Sequence, residues 1–402
     1  MDGRVPLAPV REHDRLSLLD ALRGFALAGV LLANLRDYSL YGLLDEDARS
    51  QLASAGWDRW LDPLIEGLVG GKAMTLFALL FGVGFALQLE RMGDAGRGRY
   101  ARRMLVLAGF GLLHGALWWG DILRYYAVFG LLLLLCARWS GRALVWAGLF
   151  VSLLATSLVQ PLMQGWSRRF GDGDAILAQF LATAGGRDWA ALLHANLDYD
   201  LYMHGTAWSL VFFTFGRLLL GAGLGRSGWL RTPQAHLPGW RRLLWSSLPA
   251  GLLLTLYFQL RDHGVVGGPL LGLDGMPGRM ASRLLRNAAY LLTGLGYLSV
   301  FVLAYQRPTW KRRLDVFAPI GHMALTHYFT QTVAGVLLFY GIGAGIGPRY
   351  GVPGMLLAFI AIFGLQLALS RWWLARHRFG PLEWAWRGLT YGRPQPWRRA
   401  PA

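Results

Sequence analysis

Asp20 and Arg23 interrupt the first long apolar stretch of the chain, Leu18-Leu19-Asp20-Ala21-Leu22-Arg23-Gly24-Phe25 and onward to Leu35. An ionised group in the middle of a membrane helix costs about 2.5–3.5 kcal/mol on insertion scales, so two in one segment require a reason. Three residues apart on a helix, they can pair on one face. Asn34 follows Arg23 by three helical turns and returns to that face. Lipid cannot solvate such a stripe, so it must face the bundle interior or a wet cavity. There it could hold a polar substrate. The plainer alternative is an ion pair that fixes helix packing.

His114 lies in the run Gly111-Leu112-Leu113-His114-Gly115, past the bilayer midpoint when counted from Arg103. A neutral imidazole accepts and returns a proton near pH 7, as a general base must. Asp121, seven residues on, shares its face if the helix persists, and could fix the ring's tautomer. The alternative is an imidazole bonded to a neighbouring helix.

The stretch Ala318–Gln331 carries two more imidazoles. His322, Thr326 and Thr330 make one stripe at spacing four, and His327 with Gln331 makes a second. The two rings stand about 140° apart around a helix, which suits a proton relay better than a shared metal ion. Arg217 is a lone base near mid-membrane and needs a counter-ion, for which Asp20 is a candidate. His194, Asp198, Asp200 and His204 have metal-like spacing but read as a solvated loop or interfacial helix, so no metal site is assigned. Glu383, among tryptophans, reads as part of a helix at the membrane interface. Gly-x-Ser-x-Gly, His-Glu-x-x-His, P-loop and paired-cysteine motifs are absent from the sequence.

The elements that must position these groups are membrane helices. The 402 residues are 54% hydrophobic and 16% charged, against about 25% charged in soluble proteins. Spans need about 20 apolar residues, which gives about ten candidates, at 17–36, 69–89, 103–120, 122–138, 142–160, 207–225, 243–260, 284–305, 315–340 and 352–374. Gly120-Asp121 separates the third from the fourth and fits a tight hairpin, with one long kinked helix as the alternative. The net charge of +17 is carried by arginines between the runs, which argues against a nucleic-acid partner and for a lipid bilayer. Alternate loops hold them, as at Arg97, Arg99, Arg102 and Arg103, and then at Arg307, Lys311, Arg312 and Arg313. The positive-inside rule therefore predicts cytoplasmic termini. The expected architecture is an all-α, polytopic bundle forming a single transmembrane domain, 1–402. Its parts are an N-terminal portion 15–160, an outer segment 161–206 and a C-terminal portion 207–395. The one cysteine excludes an internal disulfide framework, and the first run does not read as a cleaved signal peptide.

At these motifs the chain resembles the YeiB-like bacterial inner-membrane proteins, the family catalogued as domain of unknown function 418. The residues that carry the likeness are Leu19-Asp20-Ala21-Leu22-Arg23-Gly24-Phe25-Ala26, Leu76-Phe77-Ala78-Leu79-Leu80-Phe81-Gly82-Val83-Gly84 and His114-Gly115 with Gly120-Asp121-Ile122-Leu123. They continue with Gly321-His322-Met323-Ala324-Leu325-Thr326-His327-Tyr328-Phe329-Thr330-Gln331 and Gly380-Pro381-Leu382-Glu383-Trp384. Family patterns carry Arg and Asn where this chain has His322 and His327. The resemblance implies a multi-pass protein of the bacterial inner membrane.

The Asp-x-x-Arg-Gly pattern at Asp20, Arg23 and Gly24 also looks like that of multi-span acyltransferases, among them sugar and polysaccharide O-acetylating proteins and the lysosomal heparan glucosaminide N-acetyltransferase. That likeness implies transfer from cytoplasmic acyl-CoA, a co-substrate rather than a bound cofactor, to a glycan or lipid-linked acceptor on the far side. In such a scheme His114 is the base, Asp121 orients it, and Asn34 lies with them on the outward side. Asp20, Arg23 and His322 lie inward, Arg102 and Arg103 meet the CoA phosphates, and Arg217, His327 and Gln331 belong to substrate or donor binding. The alternative is a proton-coupled transporter or exporter, because buried Asp, Arg and His also make proton pathways. The absence of a repeat between the halves weighs against it.

Overall fold

The computed structural model describes residues 17–93, 96–268 and 270–399. Residues 15 and 16, which open the expected N-terminal portion, lie outside the described residues. Among the described residues the protein is helical, with one isolated antiparallel bridge between His377 and Arg398. The principal helices are α1 (Ser17–Tyr38), α2 (Ala55–Leu68), α3 (Lys72–Met92), α4 (Arg97–Leu117) and α5 (Leu123–Leu135). Next come α6 (Gly141–Leu149), which runs through a π-helical stretch Phe150–Ala155 into α7 (Thr156–Leu162), then α8 (Gly173–Ala184), α9 (Trp189–Thr206) and α10 (Trp208–Ser227). The chain ends with α11 (Leu237–Asp262), α12 (Gly275–Tyr305), α13 (Ala324–Phe339), α14 (Gly351–Leu374) and α15 (Pro381–Tyr391).

Among the described residues seven helical stretches are long and apolar enough to cross a membrane, and each coincides with one of the expected runs. The other three runs also fold as helices. Arginines crowd the start of α4, α5 has 13 residues, and the run at 315–340 is broken into Ala318–His322 and α13. Exposed side chains such as Leu253 and Leu256 on α11, or Leu357 and Ile360 on α14, give outward faces suited to lipid.

The hairpin at Gly120-Asp121 is real. Trp118 turns to an extended conformation and ends α4. The Asp121 carboxylate then accepts the backbone N–H groups of Leu123 and Arg124, at 3.1 and 3.0 Å, and so starts α5. In the outer segment Asp172 and Asp188 cap α8 and α9 in the same way.

Small residues set the closest approaches. A β-carbon on Gly82 of α3 would lie 2.1 Å from the Leu218 carbonyl oxygen, and one on Gly221 of α10 would lie 2.0 Å from that of Leu79. The two backbones therefore touch, as small-residue membrane interfaces do. α1 is wrapped by α3, the short helix Ala318–His322, α13 and α14, so its polar stripe faces the interior as expected.

Candidate functional site

The α1 stripe opens onto two chambers, one at each end of the helix. The proximal chamber, of about 440 Å3, is walled by α1, α3, α4, the 321–328 region and α15. Five arginines line it, namely Arg23, Arg91, Arg99, Arg103 and Arg387, and His322 joins them. Among the described residues the only carboxylates in that wall are Asp20 and Glu383. Asp20 accepts from Arg23 at 3.0 Å. Glu383 is half-buried and accepts the N–H groups of Leu325 (2.6 Å) and Thr326 (3.1 Å) as well as the Thr326 hydroxyl (2.6 Å). It therefore caps α13 from 58 residues away. Burial pushes its carboxyl above the usual carboxylate range, against those hydrogen bonds. Arg103 stacks 3.8 Å over the Trp386 ring, and Arg387 stacks 4.4 Å over that of Phe379.

The distal chamber, of about 290 Å3, is lined by Asn34, Arg36, Asp37 and Glu66, together with Gly70, Gly71 and Gly120. Arg36 donates to Glu66 at 2.6 Å and to Asp62 at 3.1 Å. The two chambers share Phe77, Ile122, Tyr126 and Tyr328, so one largely aromatic septum forms a wall of both. Its proximal side is reinforced by Phe81, stacked on Tyr126 at 4.9 Å.

Behind the septum runs a buried polar chain. The Tyr328 ring stacks on His114 at 4.5 Å. His114 Nε2 lies 2.7 Å from Thr332 Oγ1, which lies 2.7 Å from the Tyr38 hydroxyl. Tyr38 lies one helical turn from Asn34, which stands on the distal chamber wall. At the other end of the imidazole, Nδ1 is 3.0 Å from Asp121 Oδ1, a charge contact without the alignment of a full hydrogen bond. His114 and Asp121 line neither chamber, and the His114 side chain is fully buried.

Asp121 also anchors an outer cluster. Its Oδ2 accepts from Arg124 Nε at 3.0 Å, and Arg124 reaches Asp200 at 2.8 Å. His204 Nδ1 lies 3.2 Å from Asp200. Burial alone would lower the His204 pKa, but the Asp200 carboxylate outweighs it and holds the imidazole above its usual value. The reverse balance holds Asp200 below the usual carboxylate range: burial raises it, and His204 with Arg124 lower it further.

Asp20, Arg23 and His322 thus meet at one chamber and Asn34 at the other. Arg103 reaches the proximal chamber, whereas Arg102 is exposed beside Gly392, past the end of α15. Arg217 lies apart from both. It is fully buried and donates to Thr75 Oγ1 at 2.9 Å and to the carbonyls of Phe213 and Asn287 at 3.1 and 3.3 Å, with the Phe213 ring 3.4 Å away. Those acceptors take the place of the expected counter-ion. His327 and Gln331 join α13 to α14: His327 Nε2 is 2.6 Å from Ser370 Oγ, and Gln331 donates to Gln366 at 3.0 Å.

One expectation needs correction. The stripe His322–Thr326–Thr330 does not exist as one helical face, because Met323 (φ −112°, ψ 32°) breaks the helix between the first and second members. Glu383 has a part beyond the helix expected around it, since α15 folds back against α4 and α13 and closes the proximal chamber. Among His194, Asp198, Asp200 and His204, the first and second are exposed, and no metal-holding group of His, Cys, Asp or Glu occurs among the described residues. The residues that sequence reasoning missed are Asp37, Thr332, Tyr38 and the septum pair Tyr126 and Tyr328. Only Asp37 left a trace, by its spacing of three from Asn34.

Residues 224–393, from the last turn of α10 to just past α15, match the family described as Protein of unknown function (DUF418). The chain is 29% identical to "Uncharacterized protein YxaH" of Bacillus subtilis (strain 168), over 97% of this chain and 98% of that one. It is 28% identical to "Uncharacterized protein YeiB" of Escherichia coli (strain K12), over 94% of this chain and 96% of that one. No solved structure matches it.

Proposed function

We propose that this YeiB-like chain is an inner-membrane acyltransferase, which takes an acyl group from cytoplasmic acyl-CoA through the proximal chamber and delivers it to an acceptor in the distal one. The observation that carries this reading is the pair of chambers on a common septum, with five arginines in one of them. Guanidinium groups suit phosphate because they present paired donors and keep their charge. A CoA nucleotide would lie against Arg91, Arg99 and Arg103 at the cytoplasmic end, where the positive-inside rule puts them. Its pantetheine arm would run between Phe81, Met104 and Leu107 toward Tyr126 and Tyr328, bringing the thioester to the septum.

The protein's contribution would then be positional and electrostatic. Holding donor and acceptor on opposite faces of one thin wall converts an encounter into an oriented reaction. The chain Asp121–His114–Thr332–Tyr38 holds the turn of α1 that carries Asn34 on the acceptor side. One observation favours a transporter instead: the helix break at Met323 borders the proximal chamber, and discontinuous helices are common at transport sites.

The deciding experiment is thermal unfolding of the purified protein in nanodiscs with acetyl-CoA, free CoA, ATP or no ligand. A rise in midpoint specific to the CoA species is the expected result. The same midpoint with all ligands at millimolar concentration would overturn the acyltransferase reading and favour the transporter.

A further inference from the structure

Asp37 stands out in the distal chamber. Arg36 engages both of the neighbouring carboxylates, Asp62 and Glu66, and Asp58 accepts from the Ser54 hydroxyl (2.8 Å) and from the Val352 N–H (2.9 Å). The Asp37 carboxylate accepts no hydrogen bond from any described residue, yet it lies in the chamber wall beside Asn34, one helical turn earlier. A half-buried carboxylate ordinarily finds donors, and one left open inside a cavity is arranged to meet something that enters it. His114 touches neither chamber, so it cannot meet an acceptor directly.

On the acyltransferase reading above, we infer that Asp37 is the base of the transfer and that the acceptor is an uncharged polyhydroxyl group, such as a sugar ring or a polyol. The charge of the chamber selects for this class. In the chamber wall Asp37 and Glu66 stand against Arg36 alone, Asp62 being shared with Arg49 and Lys72 lying behind Glu66, so a phosphorylated or carboxylated acceptor meets a wall with one more carboxylate than guanidinium. A protonated amine would be drawn in, but an ammonium paired with Asp37 has no lone pair with which to attack. A hydroxyl can donate to Asp37 while the Asn34 amide holds its neighbour.

The step balances without any further reagent. The acceptor oxygen attacks the thioester carbonyl at the septum, and its proton passes to a carboxylate oxygen of Asp37. The carbon–oxygen bond forms and the carbon–sulfur bond breaks. The departing thiolate takes up the proton, giving free CoA thiol, an ester and Asp37 as it began. His114 is a positioning residue here, acting through Thr332 and Tyr38 on the turn of α1 that carries Asn34.

The test measures thiol release from acetyl-CoA in nanodiscs with glucose, glycerol or glucose 6-phosphate as acceptor, beside the CoA-dependent thermal shift. Wild type should release thiol with glucose or glycerol and little with glucose 6-phosphate. Asp37→Asn should lose at least about 100-fold in rate while keeping the CoA shift, and Asp37→Glu should recover part of it. The CoA shift reports folding of each variant, and Asp37→Ser serves if Asp37→Asn lacks it. An Asp37 variant that keeps the shift and stays within threefold of the wild-type rate would overturn the role of Asp37. A CoA shift in wild type with no thiol release to glucose or glycerol would overturn the acceptor class and leave the donor reading standing. Loss of the shift itself would remove both.

Discussion

Gly24 and Gly321 meet back to back. A β-carbon on Gly321 would lie 1.8 Å from the Asp20 carbonyl oxygen, and one on Gly24 would lie 2.0 Å from that of Phe317. The glycine after Arg23 therefore lets Ala318–His322 press against α1 and brings His322 to the chamber that holds Arg23. Gly24→Ala or Gly321→Ala should cost at least the 1–3 kcal/mol of ordinary overpacking, about the upper end, because backbone rather than a side-chain tip must yield. Gly109→Ala on α4, where nothing lies within 4 Å, should be neutral or stabilising by up to about 1 kcal/mol. Reversible unfolding in mixed micelles reads the difference, and equal effects at all three positions would refute the close contact.

Asp20 and Arg23 border a chamber rather than lipid, their side chains 15% and 33% exposed. A wetted pair is worth about 0.2–1 kcal/mol, whereas breaking a dry one costs about 3–5 kcal/mol. Arg23→Met should accordingly change unfolding by less than about 1 kcal/mol and weaken the CoA-dependent shift, most visibly at low salt. A loss of several kcal/mol would mean that the pair is dry.

Asp121 has more dependants than His114. It starts α5, shares Arg124 with Asp200 and contacts His114, so Asp121→Ala orphans two backbone N–H groups and leaves Arg124 with one carboxylate in place of two. It should destabilise by about 1–3 kcal/mol. Asp121→Asn keeps an acceptor for the N–H groups and should cost less. The same unfolding assay separates them, and equal losses would show that the cap contributes nothing.

The Asp200–His204 pair gives a pH signature. His204 is held above its ordinary 6.5, so its contribution to stability is complete below that pH and fades as pH rises through the raised value. Asp200 is held below its ordinary 3.8, so its share is present above that pH and is lost on further acidification. His204→Gln should therefore lower the unfolding midpoint most between about pH 4.5 and 6, and progressively less above neutrality. A deficit that does not vary from pH 5 to pH 8.5 would contradict the pairing.

Glu383→Ala should destabilise by about 0.5–2 kcal/mol, the usual cost of a lost cap, while Glu383→Gln, which can still accept from Leu325, should cost less. Thermal midpoints compare the two, and a Glu383→Gln deficit as large as that of Glu383→Ala would mean the charge itself is required.

Local physics made much of this legible in the sequence. Apolar length located the helices, and spacing put Asp20, Arg23 and Asn34 on an inward face. His114 and Asp121 do meet, but by the hairpin and not by the shared face of a persisting helix: the chain turns at Trp118 and returns the carboxylate to the ring. What stayed hidden depends on partners far along the chain. No local pattern ties Glu383 to Leu325, or His114 to Thr332. Nor does periodicity announce a break at Met323, where no proline or glycine occupies the break itself. Arg217 looked in need of an anion because carbonyl acceptors on neighbouring turns and helices cannot be read from composition.

The cap that Glu383 places on α13 also has a bearing on time. α15 supplies the last wall of the proximal chamber, while most of the others come from residues 19–126. During synthesis the first-turn amides of α13 are made 58 residues before their carboxylate and wait for it until α15 emerges. The chamber therefore closes only once residues 381–391 have been made: until then Arg23, Arg91, Arg99 and Arg103 stand in a wall that lacks Arg387 and Trp386.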